Sequence, residues 1–300
     1  MPEGYTHVRT ARKAAEKAGY CPAVPEAFAA GANGPDILFA YEVWKSAAGR
    51  TVDLPGLGNR MHEEKTGAFL TELVRSALSA NEKDYVLGFL NHYATDSTVH
   101  PYVEAVQQPG MPYCCKGGHG YFEIGLDSML YKTDFGTGLV PADASLPVLK
   151  GAVRGDIAAL MARALGKVYG VEVTPEKIGD AYDMLRFVRI ACASRWGIRR
   201  RLFWLVEPAF GGRGYITGHC TPAALKGLGE EDGEKLPNPW QDPGTGERHS
   251  EDVTELLERA AEKGAVYMNV VLDYWNGRAE EEQVKTVLGS RSYSTGLEVE

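Results

Sequence analysis

The chain has 300 residues, 44% hydrophobic and 24% charged, a composition that fits a globular protein with a sizeable core and excludes disorder. Its net charge of −8 argues against nucleic-acid binding through broad electrostatics, because neutralising phosphates takes clustered lysine and arginine. The start MPEGYTHVRTARK has no apolar stretch after its basic residues, and no run of about 18 apolar residues occurs, so neither a secretory signal nor a transmembrane segment is expected and a cytoplasmic location is inferred.

Most of the sequence repeats at helical period and lacks long valine and isoleucine alternations, so the expected fold class is all-α, a multi-helix bundle. A first helix is expected from about Thr6 to Ala18, ending at Gly19. A second is expected after Asn33-Gly34-Pro35, with Asp36 as N-cap of Ile37-Leu38-Phe39-Ala40-Tyr41. The glycine- and proline-rich stretch from Ala48 to Arg60 reads as a loop, after which His62 opens a helix to about Leu78. The richest helix is expected from about Asn81 to Val99, with Leu87, Leu90 and Ala94 in its buried stripe and His100 at its end, because Pro101 follows. Gly117-Gly118 supplies a turn before a helix from about His119 to Tyr131.

Further helices are expected near Ser145 to Leu165, Pro175 to Leu205, Glu251 to Trp275 and Ala279 to Leu288. The polar segment 229–250, broken by proline and glycine, reads as a long loop with Trp240 as a tether or part of a lid. Arg199, Arg200 and Arg201, with Arg195 upstream and Trp196 and Trp204 alongside, read first as a solvated helix face, with a phosphate- or membrane-facing patch as the alternative. Cys21, Cys114, Cys115, Cys192 and Cys220 are odd in number and dispersed, which suits reduced thiols. The chain is expected to form one domain.

Two spacings carry chemistry. In LGFLNHYATDSTVHPYV, His92, Asp96 and His100 stand at i, i+4 and i+8, and in GGHGYFEIGLD His119 and Glu123 stand at i, i+4. Residues four apart share a helix face, so each set presents imidazole nitrogens and carboxylate oxygens to one small volume, the ligand types of a hydrolytic zinc site. A buried hydrogen-bond network is the plainer reading of the first set, but three polar groups against an apolar stripe cost free energy unless something satisfies them. Alone, Asp36 reads as an N-cap, while His7 and His62 each leave a surface residue and a ligand equally open. His119 has an alternative in a zinc knuckle with Cys114 and Cys115, although adjacent cysteines fit one tetrahedral ion poorly. His219 and His249 have no partners at metal spacing and read as structural or exposed.

The order His7, Asp36, His62, His92, Asp96, His100, His119, Glu123 resembles the zinc-dependent phospholipase C family, in the superfamily that also holds the single-strand-specific zinc nucleases. GFLNHYATDSTVHPY is similar to the family's central helix, and the resemblance is strongest over residues 5–130. It implies a helical fold holding two or three zinc ions, with the ligand half at 1–135 and a helical remainder at 136–300. One zinc would take Asp36, His62, His92 and Asp96, and the second His100, His119 and Glu123. A third would take Asp96 as a bridge, His7 and the amino terminus.

Phospholipase C-like hydrolysis of a phosphate ester by a metal-activated water is therefore the expected function, with Asp36 as general base. Asp127, one turn past Glu123, is placed to orient a ligand histidine, and Glu42 and Tyr93 are assigned similar support. The substrate class is a phosphate ester, phospholipid included, with no nucleic-acid partner expected. The alternatives are a nuclease or phosphomonoesterase on the same fold, or a zinc-binding structural or sensing protein without turnover.

Overall fold

A computed structural model describes residues 4–209, 212, 214–225 and 236–300. Within them run α1 Gly4–Lys17, α2 Pro25–Gly31, α3 Leu54–Glu63, α4 Thr66–Ser76, α5 Ala80–Ala105, α6 Gly118–Phe135, α7 Ala142–Ser145, α8 Gly151–Tyr169, α9 Pro175–Cys192, α10 Ile198–Val206, α11 Val253–Trp275 and α12 Glu281–Leu288. The strands among the described residues are β1 Trp240–Gln241 and β2 Arg248–His249, an antiparallel pair. The fold is all-α, as its periodicity predicts.

The 26-residue α5 is the axis of the molecule. Its start is fixed by a capping box, in which the Glu82 N–H donates to Ser79 Oγ at 3.2 Å and the Glu82 carboxylate accepts the Ser79 N–H at 3.0 Å. It is buried on nearly every side rather than along one stripe, with α1, α2, α8 and α11 packed around it. Gly31 and Gly88 let α2 lie directly on it, since a Cβ at either would collide with the Tyr85 or Phe28 carbonyl. One apolar core surrounds the first half of α5, and a second gathers its last turns with α6, Trp240 and the start of α11. Between them α5 buries a polar stretch that includes His92, Asp96 and His100.

Several expected boundaries move. α5 runs through Pro101 to Ala105, so His100 is not its end. The proline forfeits the bond to the Ser97 carbonyl, a cost of about 3 kcal/mol, and burial of Tyr102, Val103 and Ala105 offsets it. The stretch read as a loop contains α3, because Pro55 sits in the first turn, where its fixed φ favours a helix and its missing N–H costs nothing. His62 therefore lies in the last turn of α3 instead of opening a helix, and a left-handed Lys65 (φ +53°) separates α3 from α4.

Asp36 belongs to a short 3-10 helix, Gly34–Leu38, not to the cap of a longer helix. Gly34 takes φ +50° and lies against the His92 ring, which a Cβ there would strike. The helix expected from Pro175 to Leu205 is two, α9 and α10, divided at Gly197 (φ +68°), and that expected from near Ser145 begins only at Gly151, as α8. In the expected loop, Trp240 is the tether predicted: it is buried, donates from Nε1 to the Glu251 carbonyl at 2.9 Å and stacks on His249. Residues 229–235, which a lid would involve, lie outside the described residues.

Candidate metal centre

Five elements deliver the eight candidate ligands to one buried place. α1 brings His7, the 3-10 helix Asp36, α3 His62, α5 His92, Asp96 and His100, and α6 His119 and Glu123. All are buried except the half-buried His119. His7, Asp36, His92 and Asp96 form one group, and His100, His119 and Glu123 a second; within each, one nitrogen or oxygen per residue lies within 4.8 Å of the others. His62 stands beside the first group, its Nε2 3.1 Å from Asp36 Oδ1. His7 thus sits with Asp36, His92 and Asp96; the family resemblance pairs it with Asp96 and with the amino terminus, which lies outside the described residues.

Asp96 joins the groups. One of its oxygens is 3.2 Å from His7 Nε2 and 3.5 Å from His100 Nε2, and the other is 2.9 Å from His92 Nε2 and 3.9 Å from His62 Nε2. Glu123 Oε1 lies 3.2 Å from His100 Nε2 and 3.0 Å from His119 Nε2. Burial alone would push the Asp96 carboxyl up, but the rings of His100, His92 and His7 hold it well below the usual carboxylate range. Glu123 is likewise raised by burial and carried well below its ordinary value by His119 and His100. For His119 burial pulls down, yet Glu123 and Glu104 lift its pKa to about 10. His7 and His62 are pulled down by burial and end raised, through Asp96 and Asp36 respectively.

These donors suit zinc by their own geometry. His62 Nδ1 faces the Gly58 carbonyl at 2.7 Å, His92 Nδ1 that of Ala32 at 3.2 Å and His100 Nδ1 that of Tyr293 at 2.9 Å. A carbonyl accepts only, so each Nδ1 carries the proton in the neutral ring and each Nε2 turns a lone pair inward, as metal-binding histidines do. His92 Nε2, Asp36 Oδ1, Asp96 Oδ2 and Glu123 Oε2 are buried without a hydrogen-bond partner, and His92 Nε2 and Asp96 Oδ2 stay so despite being 2.9 Å apart. Nitrogen and oxygen lone pairs that converge without bonding one another fit a cation.

The centre opens on a cavity of about 860 Å³. His62, His100 and His119 stand on its wall, with Lys116 adding a cation, and Phe39, Val43, Trp44, Phe187, Val188 and Phe203 make it largely apolar. His219, to which the sequence assigned no metal role, also lines it.

Residues 6–166 match the family model described as zinc dependent phospholipase C. The chain belongs to the zinc-dependent phospholipase C family. Membership identifies it as a zinc-dependent, phospholipase-like hydrolase, and its two buried clusters of histidine and carboxylate are able to hold metal. The family match spans all eight candidates and ends within α8, before the cavity walls of α9 and α10. No curated protein and no solved structure matches the chain.

The supporting residues differ from those expected. Asp127 accepts the N–H groups of Tyr5 and Thr6 at 3.0 and 2.7 Å, tying the first turn of α1 to α6 and so setting the height of His7. Tyr93 donates to the Leu288 carbonyl and accepts from the Arg291 N–H, both at 3.0 Å, which anchors the chain beyond α12, and Glu42 pairs with Lys45 at 2.6 Å.

Two supporting residues escaped the sequence reading. Glu104, 3.3 Å from His119 Nδ1, is the next rung of the ladder His92, Asp96, His100, and ending the helix at Pro101 hid it. Tyr293 gives its carbonyl to His100 Nδ1, donates its N–H to the His62 carbonyl at 2.8 Å and packs its ring on His62, with centroids 5.1 Å apart. No local spacing announces a residue so distant in sequence.

Proposed function

We propose that this chain hydrolyses phosphate esters by phospholipase C-like cleavage of a phosphodiester, working as a single domain whose N-terminal half holds the metal and whose remainder builds the substrate cavity. Two or three zinc ions would be held by His7, Asp36, His62, His92 and Asp96 on one side and His100, His119 and Glu123 on the other. Bound zinc supplies Lewis acidity toward phosphoryl oxygens and lowers the pKa of a water at the site toward about 7.

The protein's own groups do the rest. Asp36 is the proposed general base, because Asp96 lies among four imidazoles, whereas Asp36 faces two, His62 and His92, and its Oδ1 has no hydrogen-bond partner. It would take the proton of the attacking water at that oxygen. Lys116 is placed to meet a phosphate oxygen, and the apolar walls to exclude bulk water and hold the non-phosphate part of the ester.

The observation that supports this reading best is that the donor set reaches a cavity. A closed structural site has no such opening, whereas His62, His100 and His119 all border the 860 Å³ space. The test is elemental analysis of purified protein followed by assay of a chromogenic phosphodiester with and without chelator. Two or three zinc per chain with chelator-sensitive turnover is the expected result. Bound zinc with no turnover on phosphodiester, phosphomonoester, phospholipid or nucleic acid would overturn it in favour of a non-catalytic metal-binding protein.

A further inference from the structure

Residues 184–206 contain six arginines and no carboxylate, in a chain of net charge −8. The same stretch holds eight of the seventeen large apolar side chains that the described residues expose. Arg186 and Arg189 are tied into the body through Asp143 and Asn33. The other four, Arg195, Arg199, Arg200 and Arg201, have no acidic partner among the described residues. Arg199 donates instead to the carbonyls of Ile190 and Ala193 at the end of α9, and Arg200 to that of Pro222.

α10 buries none of its residues. Ile198, Leu202 and Leu205 stand at i, i+4 and i+7 and are 68%, 57% and 67% exposed, so they form one outward stripe. At 100° per residue, Arg199 and Arg201 fall on either side of it. Trp196, 77% exposed, extends the stripe at its N-terminal end, and Phe187 and Ile190 of α9 continue it. Phe187 also lines the cavity, so the patch meets the cavity wall at that side chain.

We propose that α10, with Trp196 and the exposed end of α9, is a docking face for an anionic lipid bilayer. An outward apolar stripe flanked by arginines matches the chemistry of such a surface, where apolar side chains enter the acyl boundary and guanidinium groups meet lipid phosphates. A second copy of the chain is a poor occupant, since a two-fold interface would set these arginines against their own counterparts. Docking in this way turns the cavity wall toward the bilayer. That consequence rests on the phosphodiester reading, but the docking itself does not.

Co-sedimentation of the zinc-loaded full chain with vesicles of phosphatidylcholine, alone or mixed with phosphatidylglycerol, tests this. Binding to the anionic vesicles is expected to be at least about tenfold tighter and to weaken with salt. Leu202→Glu with Leu205→Glu should abolish it while the helical circular dichroism is retained. Arg195→Ala and Arg201→Ala should each weaken it about fivefold. Brominated lipid should quench tryptophan emission from the wild type and less from Trp196→Phe.

Hydrolysis of a water-soluble phosphodiester by the double glutamate variant reads the chemistry without a bilayer, so loss of docking and loss of catalysis are told apart. Equal binding to neutral and anionic vesicles, binding unchanged in both sets of variants, or self-association through this face without vesicle binding would each overturn the proposal.

Discussion

Between α1 and α6 the chain buries ionisable side chains, whereas along α9 and α10 it exposes apolar ones. In the first region Asp96, Glu123 and Asp36 are 1%, 6% and 2% exposed and are surrounded by imidazoles; in the second Trp196 and Leu205 stand more than half exposed. Each arrangement costs free energy in an isolated chain, and each is explained by something that is not protein: a divalent cation for the converging lone pairs, an apolar or amphiphilic molecule for the uncovered side chains. The family match covers the first region and stops short of the second. The candidate ligands therefore lie wholly within the family match, while the cavity beside them is walled both from within it, by Phe39, Val43 and Trp44, and from beyond it, by Phe187, Val188 and Phe203.

The hardest test of this division is Asp96→Asn. It removes the carboxylate shared by both groups, so metal content and hydrolysis should fall to background together; an unchanged zinc stoichiometry would exclude Asp96 as a ligand. Tyr293→Ala comes next, since it empties a buried ring position beside His62 and Tyr93. It should destabilise the fold by about 3–5 kcal/mol in urea unfolding and lower zinc occupancy with it.

Lys263 is the contrary case on the outer side of α5, a half-buried charge that meets hydroxyl and rings in place of a carboxylate. Its ammonium donates to Ser97 Oγ at 2.9 Å and lies over Tyr93 and Tyr267, and burial, aided by Arg291 and Arg259, lowers its pKa to about 8. A lysine with a folded pKa below its unfolded 10.5 penalises folding in full below pH 8, and the penalty disappears as pH rises from 8 to 10.5. Stability of the wild type relative to Lys263→Met should rise by up to about 3 kcal/mol across that window, read from urea midpoints. A flat difference would show that the ammonium is not desolvated.

Glu104→Gln tests the partner of His119. Zinc affinity should drop about 10- to 100-fold with the fold intact, measured by chelator competition. The smallest effect is expected on the cavity wall. Phe203→Ala should leave zinc content unchanged and raise KM about tenfold for a long-chain substrate but not for a short one, because only apolar cover is lost. A change in metal content there would break the separation between the two regions.

Much of the first region was legible because α-helical spacing converts sequence directly into proximity. Three rungs of α5 and two of α6 follow from the period alone, and the structure sets all five side chains around one place. Glu104 was lost to a rule applied at Pro101 that burial overrode. α3 was lost because Pro55 and its neighbouring glycines read as loop, although a proline in the first turn favours a helix and Gly58 uses its carbonyl to hold His62. The cavity and Tyr293 were not legible at all, since both arise from packing between segments far apart in the chain, where no period relates one residue to another. α10 is intermediate: its arginines and tryptophans were visible, but only three dimensions show which residues share its outward face.

The hydrogen bonds of Tyr293 bear on the order of folding. The contact that fixes the His100 ring spans 193 residues, and the one that braces His62 spans still more, so both close long loops. A chain that had gathered its ligands before the Tyr293 segment docked would hold every one of them with two rings unaimed.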